Sequence, residues 1–135
     1  MIRQGVANSW YLEIILGIHA PEDVYRFALY AADAALSAET TSYTTDGEVI
    51  GAPGYEAGGQ VLVGYNAQLI GAIARLHWDT PVWPVSSITA RGGLIYNASK
   101  SNRAIAVLDF GKDYVSSNGE FKATMPVALI HVGAV

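Results

Sequence analysis

The sequence predicts a mainly β protein, an antiparallel β-sandwich of jelly-roll-like type with one short N-terminal helix. Three observations carry that expectation. From Val24 onward, short runs alternate apolar and polar residues with period two. Turn signals such as Ser101-Asn102 and Asn118-Gly119 punctuate the runs. Only one stretch, near the start, carries helical spacing, so alternating βαβ units are not expected.

The elements follow in order. Asn8 or Ser9 is placed to cap the helix, and Gly17 to end it. Trp10 and Ile14 share one face, while Tyr11, Ile15 and Ile18 form a second apolar stripe beside it. A short helix this apolar needs cover on more than one side, from its own core or from a neighbouring subunit. After HAPED the period changes. In VYRFALYA, Tyr25, Phe27 and Leu29 face one way and Val24, Arg26, Ala28 and Tyr30 the other. A long polar passage from Leu36 to Gly59 follows, then strand-like runs QVLVGYNAQLI, AIARLHWD, SITARGGLIYNA, NRAIAVLDFG, EFKATM and VALIHV. Asn66 reads as a further turn signal, and WDTPVWP as a crossing between sheets. The sum is one helix and seven or eight strands in a single domain, 1–135. An N-terminal helix or arm occupies 1–20 and the sandwich 21–135.

Composition narrows the chemistry. The 135 residues are 51% hydrophobic and 15% charged, an ordinary globular balance in which low charge hints at apolar surface covered by a partner. Net charge is −4 and the eight Lys and Arg are scattered singly, so no basic stripe exists for nucleic acid. The apolar N-terminal segment, broken by Glu13 and Gly17, is too short to span a bilayer. There is no cysteine, hence no disulfide and no thiol chemistry. His19, His77 and His131 lie far apart without a His-x-His or His-x-x-x-His pair, and neither a metal nor a cofactor is expected.

Catalytic patterns fare no better. No Gly-x-Ser-x-Gly elbow occurs. Asp79 and Asp109, each ending an apolar strand, are the best carboxylate pair for acid–base work, but Asp at a strand end usually accepts turn amides. GAPGYEAGGQ lacks the Gly-Lys-Ser/Thr ending of a phosphate loop and opens a strand rather than a helix. Its glycines suit a folded loop packed down by Tyr55. In ITARGGLIYN, Gly92 and Gly93 mark a close approach of a ring, Trp78 or Trp83 being nearest in sequence. Arg91 is placed to fork onto Asp109, Asp79 or another chain. No catalytic residue is assigned. Trp10, Tyr11, Ile14, Ile15, Tyr55, Arg91 and Asp109 are the candidate interface or structural positions.

The order NSWYLEIILGIH, DVYRFALYAADAAL, YTTDGEVIGAPGYEAGGQVL, ITARGGLIYNASKSNRAIAVLDFG and NGEFKATMP, closing in ALIHV, resembles a family of small tailed-phage and prophage virion structural proteins. The resemblance runs through nearly the whole chain. It rests on Tyr30, Glu48, Gly54-Tyr55, Gly58-Gly59, Ala90-Arg91-Gly92, Ile95-Tyr96-Asn97, Asp109-Phe110-Gly111, Gly119 and Phe121. Ala52-Pro53 departs from it, where a Gly-Thr-like turn is more usual. It implies a non-enzymatic protein of the virion, assembled in the host cytoplasm in many copies. Capsid decoration or cement is the first expectation, with a tail, neck or fibre component, carbohydrate-binding in one form, as the alternative. The implied partners are the major capsid protein or tail proteins and further copies of the chain, as trimer or dimer. The N-terminal helix and the Leu36–Gly59 loop are the natural docking elements.

Overall fold

In the computed structural model, residues 1–126 and 129–133 are described; Val127 and Ala128, which open the expected strand VALIHV, lie outside them. In chain order the elements are β1 (Gly5–Val6), α1 (Asn8–Ile15), β2 (Tyr25–Tyr30), β3 (Gln60–Val61), β4 (Asn66–Ile70), β5 (Ile73–His77), β6 (Val82–Ser86), β7 (Thr89–Asn97), β8 (Arg103–Val115), β9 (Gly119–Lys122) and β10 (Ile130–Gly133). All named strand pairs are antiparallel. The expected class therefore stands: mainly β, antiparallel, with one short helix.

A central sheet runs in the order β1-β8-β7-β2-β3, beside a three-stranded sheet β10-β5-β4 and a two-stranded ribbon β6-β9. Directly paired residues share a face. One face of the central sheet carries Tyr25, Phe27 and Leu29 with Ile95 and Gly93; the other carries Arg26, Ala28 and Tyr30 with Tyr96, Leu94 and Gly92. Both are covered, which is why β2 and the second half of β7 read as nearly unbroken apolar runs. On the first face Trp78 packs against Tyr25, and Leu76, Met125 and Ile130 gather around Ile95. Phe121 of the ribbon lies between Trp83 and Phe110. On the second face lies the chain's own 31–59 segment. Tyr43 stacks on Tyr96, and the Tyr30 hydroxyl donates to the Thr44 carbonyl. The long polar passage expected to embrace a neighbour is thus a layer of its own molecule.

Helix α1 differs from expectation at its start. Ala7 occupies the cap position without a side-chain cap, and the Asn8 N–H is satisfied by the Ala38 carbonyl instead. Its end matches: Gly17 at φ +72° lets its own N–H reach the Ile14 carbonyl and the Ile18 N–H reach that of Glu13. QVLVGYNAQLI divides at Gly64, so Asn66 begins β4 rather than turning. WDTPVWP is not simply a crossing, because Val82–Ser86 pairs with β9 across a register shift that accommodates Pro84. Strand β1 escaped notice because two residues carry no period of their own.

Gly92 and Gly93 do admit close neighbours, but neither tryptophan is one of them. A Cβ on Gly93 would strike the Phe27 ring and the Ala28 carbonyl, and one on Gly92 would strike the Leu108 carbonyl. Arg91 meets neither Asp109 nor Asp79; its Nε lies 3.2 Å from Asp113 Oδ1, and the pair is solvent-exposed. It ties β7 to β8 from outside and contributes little to stability. Gly93→Val should lower unfolding free energy by roughly 2–3 kcal/mol through overpacking, whereas Arg91→Ala should stay within about 0.5 kcal/mol. Urea denaturation of the two variants checks both.

Candidate functional site

Among the described residues, two polar networks hold the buried carboxylates, and both are closed. The first centres on Glu48, which enters by an isolated bridge to Tyr30 at the end of β2. Its buried carboxylate accepts from the Tyr43 hydroxyl at 2.6 Å, the Tyr55 hydroxyl at 2.5 Å and the Gly58 N–H at 2.7 Å. Tyr55 in turn accepts from the Leu29 N–H. Arg26 donates to the Gly58 and Gly59 carbonyls, and the Tyr96 hydroxyl also donates to that of Gly58. The Gly58-Gly59 peptide is thereby gripped by a carboxylate on its N–H side and a guanidinium on its carbonyl side. Gly59 itself presses on the Phe27 carbonyl so closely that a Cβ has no room. Burial, followed by Glu48 through its charge at Tyr30 and its hydrogen bonds at Tyr43 and Tyr55, pushes these three hydroxyls well above the ordinary phenol value.

The second network ties α1 to the β7–β8 hairpin. Asn97, fully buried, donates its amide hydrogens to Asp23 Oδ2 and His19 Nδ1 and accepts from the Ser99 N–H. That arrangement leaves the His19 Nε2–H to donate to Glu13 Oε1 at 2.8 Å. Glu13 also takes Arg103 at 3.1 Å, and Asp23 takes Lys100 at 2.8 Å. Burial alone would raise the Asp23 pKa. Hydrogen bonds from Asn97, Lys100 and the Ala20 N–H, with the Lys100 charge, outweigh it and hold the carboxyl below its usual range.

A His beside a Glu suggests acid–base chemistry. Here both side chains are more than nine-tenths buried and their hydrogen-bonding positions are taken, so the pair organises structure. Asp79 and Asp109 are not brought together by any hydrogen bond or ion pair among the described residues. Asp109 accepts from the Gly111 N–H two residues on, and Asp79 lies against Gly64. Among the described residues no cluster of three or more His, Asp or Glu forms a metal site, and no helix is long and apolar enough to cross a membrane.

What remains open to partners is apolar surface. Helix α1 is inverted: its inward face holds Trp10 and the charged Glu13, while Leu12, Ile15 and Leu16 are 59%, 81% and 63% exposed. Of the candidate positions, Tyr11 and Ile15 lie on this outer surface, Ile14 is half-buried, and Trp10 and Tyr55 belong to the core. A second apolar surface lies at the tip of the β4–β5 hairpin, where Leu69 and Ile70 stand exposed. Sequence reasoning passed over Leu12 and Leu16 because helical spacing alone does not say which side the core is on. No family model, curated protein or solved structure matches this chain.

Glu48→Gln should cost roughly 2–3 kcal/mol, since the amide replaces charge-assisted acceptance and turns a donor toward donors. Raised tyrosine pKa values mean that the folded state binds more protons than the unfolded chain above pH 10. Stability is therefore full below pH 10 and falls as pH climbs beyond it. Unfolding free energies from urea titrations at pH 8 and pH 11 should differ by roughly 1 kcal/mol for each of Tyr30 and Tyr55.

Proposed function

We propose that this chain is a non-enzymatic structural protein of a tailed-phage particle, present in many copies, and that it acts as a capsid decoration or cement protein. The inverted helix carries the reading. A surface helix ordinarily turns its polar side outward; α1 turns Leu12, Ile15 and Leu16 outward and fastens its one carboxylate inside through His19 and Arg103. Such a face gains free energy by being covered, at about 25 cal/mol per Å² of apolar area removed from water. The body beneath is well suited to carry load, with its buried carboxylates satisfied and its long loop pinned. The resemblance of the sequence to phage virion proteins supplies the setting, and the shell lattice supplies the partner.

The carbohydrate-binding form of the alternative asks for exposed aromatic platforms. Trp10, Trp78 and Trp83 are all buried and packed on other rings, so the tryptophans are not such platforms. Tyr11 and Tyr114, 42% and 36% exposed, are the aromatics left to serve, so the carbohydrate-binding form is the less favoured one.

Purified particles of the encoding phage or prophage should contain the chain at the shell when imaged by cryo-microscopy. Its absence from particles would remove the reading altogether, and density on the tail would replace capsid with tail. Leu12→Asp and Ile15→Asp, both at exposed positions, should keep the melting temperature within a few degrees. Each should weaken co-sedimentation with particles lacking the protein by about tenfold or more.

A further inference from the structure

We infer that two copies of this chain join edge to edge through β4, in an antiparallel pairing centred on Gln68, to make one continuous six-stranded sheet. The inference deepens the assembly reading by naming the contact between copies. It is tested on the isolated protein, so its failure and the failure of particle binding are read separately.

Strand β4 is the outer strand of the β10-β5-β4 sheet, and its far edge pairs with no strand among the described residues. The ladder to β5 is regular from Asn66↔His77 to Ile70↔Ile73 and closes in a two-residue turn at Gly71-Ala72. Proteins usually blunt such an edge with charge, proline or a bulge. Asn66-Ala67-Gln68-Leu69-Ile70 has none of these, and Ala67 to Ile70 are exposed on both faces.

The register shows why the occupant is a second copy. On one face of this sheet, Ala67, Leu76 and Ile130 form a cross-strand row, and its inner members Leu76 and Ile130 gather around Ile95 over the molecule's own core. Two residues farther out on the same face, Leu69, Ala74 and Val132 form a second row, which overhangs the core and is exposed. A two-fold axis at Gln68 sets Leu69 of each copy opposite Ala67 of the other. The overhanging row of one copy then continues into the covered row of the other, and both overhangs are matched by one operation. On the opposite face Gln68 meets Gln68.

Charge permits the same pairing. The chain carries −4, yet Tyr65 to Trp78 contains no Asp or Glu and only one cation, Arg75. Arg75 sits beside Gln68 on β5, its Nε without a hydrogen-bond partner. In the pairing the two Arg75 stand three strand spacings apart, about 14 Å, beyond the screening length at physiological salt. Two copies of an acidic protein thus meet where neither is acidic.

The chain has no cysteine, so one introduced thiol reports the contact cleanly. Gln68→Cys places two sulfurs directly opposite, within reach of a disulfide. Mild oxidation should yield a covalent dimer, while Val85→Cys, exposed on β6, should not. Light scattering of the wild-type chain at rising concentration should approach twice the 14.3 kDa chain mass. Leu69→Lys should weaken that association about tenfold or more without changing the melting temperature materially. A wild-type chain that stays monomeric at millimolar concentration overturns the inference. So does a dimer that survives Leu69→Lys and fails to cross-link through Gln68→Cys, since it must use another face.

Discussion

The layer covering one face of the central sheet depends on a single buried carboxylate. Residues 31–59 contain almost no regular structure, and such a segment holds its place only if its polar groups find partners. Glu48 supplies them, accepting from two tyrosines and from the Gly58 N–H while Arg26 takes the carbonyls beyond. The arrangement is directional: the donors to Glu48 tie the loop to itself, while Arg26, Tyr30, Tyr96 and the Leu29 N–H fix it over the sheet. Hydrophobic burial of Tyr30, Tyr43, Tyr55 and Tyr96 gives the layer its free energy, and Glu48 gives it one conformation.

The same logic, with opposite polarity, governs the N-terminal helix. Eight residues cannot sustain a helix alone. A C-terminal glycine motif closes α1, and the Glu13–His19–Asn97–Asp23 relay fastens it to the β7–β8 hairpin. Because the relay occupies the inner face, apolar residues are left to the outer one. Under the proposed assembly role that inversion has a use: polar bonds fix the helix on its body and leave its apolar area free for a neighbour.

Much of the β framework was legible in the residues. VYRFALYA and SITARGGLIYNA read as strands by their period of two, and burial on both faces explains why apolar residues occupy both parities. Ser101 and Asn102, both at φ 57°, make the turn between β7 and β8 that their types advertise. Tyr55 packs the glycine loop down, as its place between Gly54 and Gly58 suggests. Other features were illegible for physical reasons. β1 exists only by pairing with residues about a hundred positions away, and Pro84 disguised β6. Glu48, Tyr55, Gly58 and Gly59 carry part of the phage-protein resemblance, yet nothing in a polar loop announces that its glutamate is buried. Arg91 reaches Asp113 rather than Asp109 or Asp79, a choice the residues do not reveal because registers are set by turns and two shifts lie between β7 and β8.

The strand order also sets a timetable. β2 has β7 as its long partner, so Tyr25–Tyr30 must wait for Gly92–Asn97 to be made. At the roughly 5–20 residues per second of ribosomal synthesis, that interval is several seconds. Throughout it an apolar, aromatic hexapeptide hangs from the ribosome with no sheet to join. The β7–β8 hairpin, whose partners are adjacent in sequence, can close within microseconds of emerging. Folding is therefore driven from the later part of the chain, and the N-terminal segments are recruited onto a hairpin that did not exist when they were synthesised.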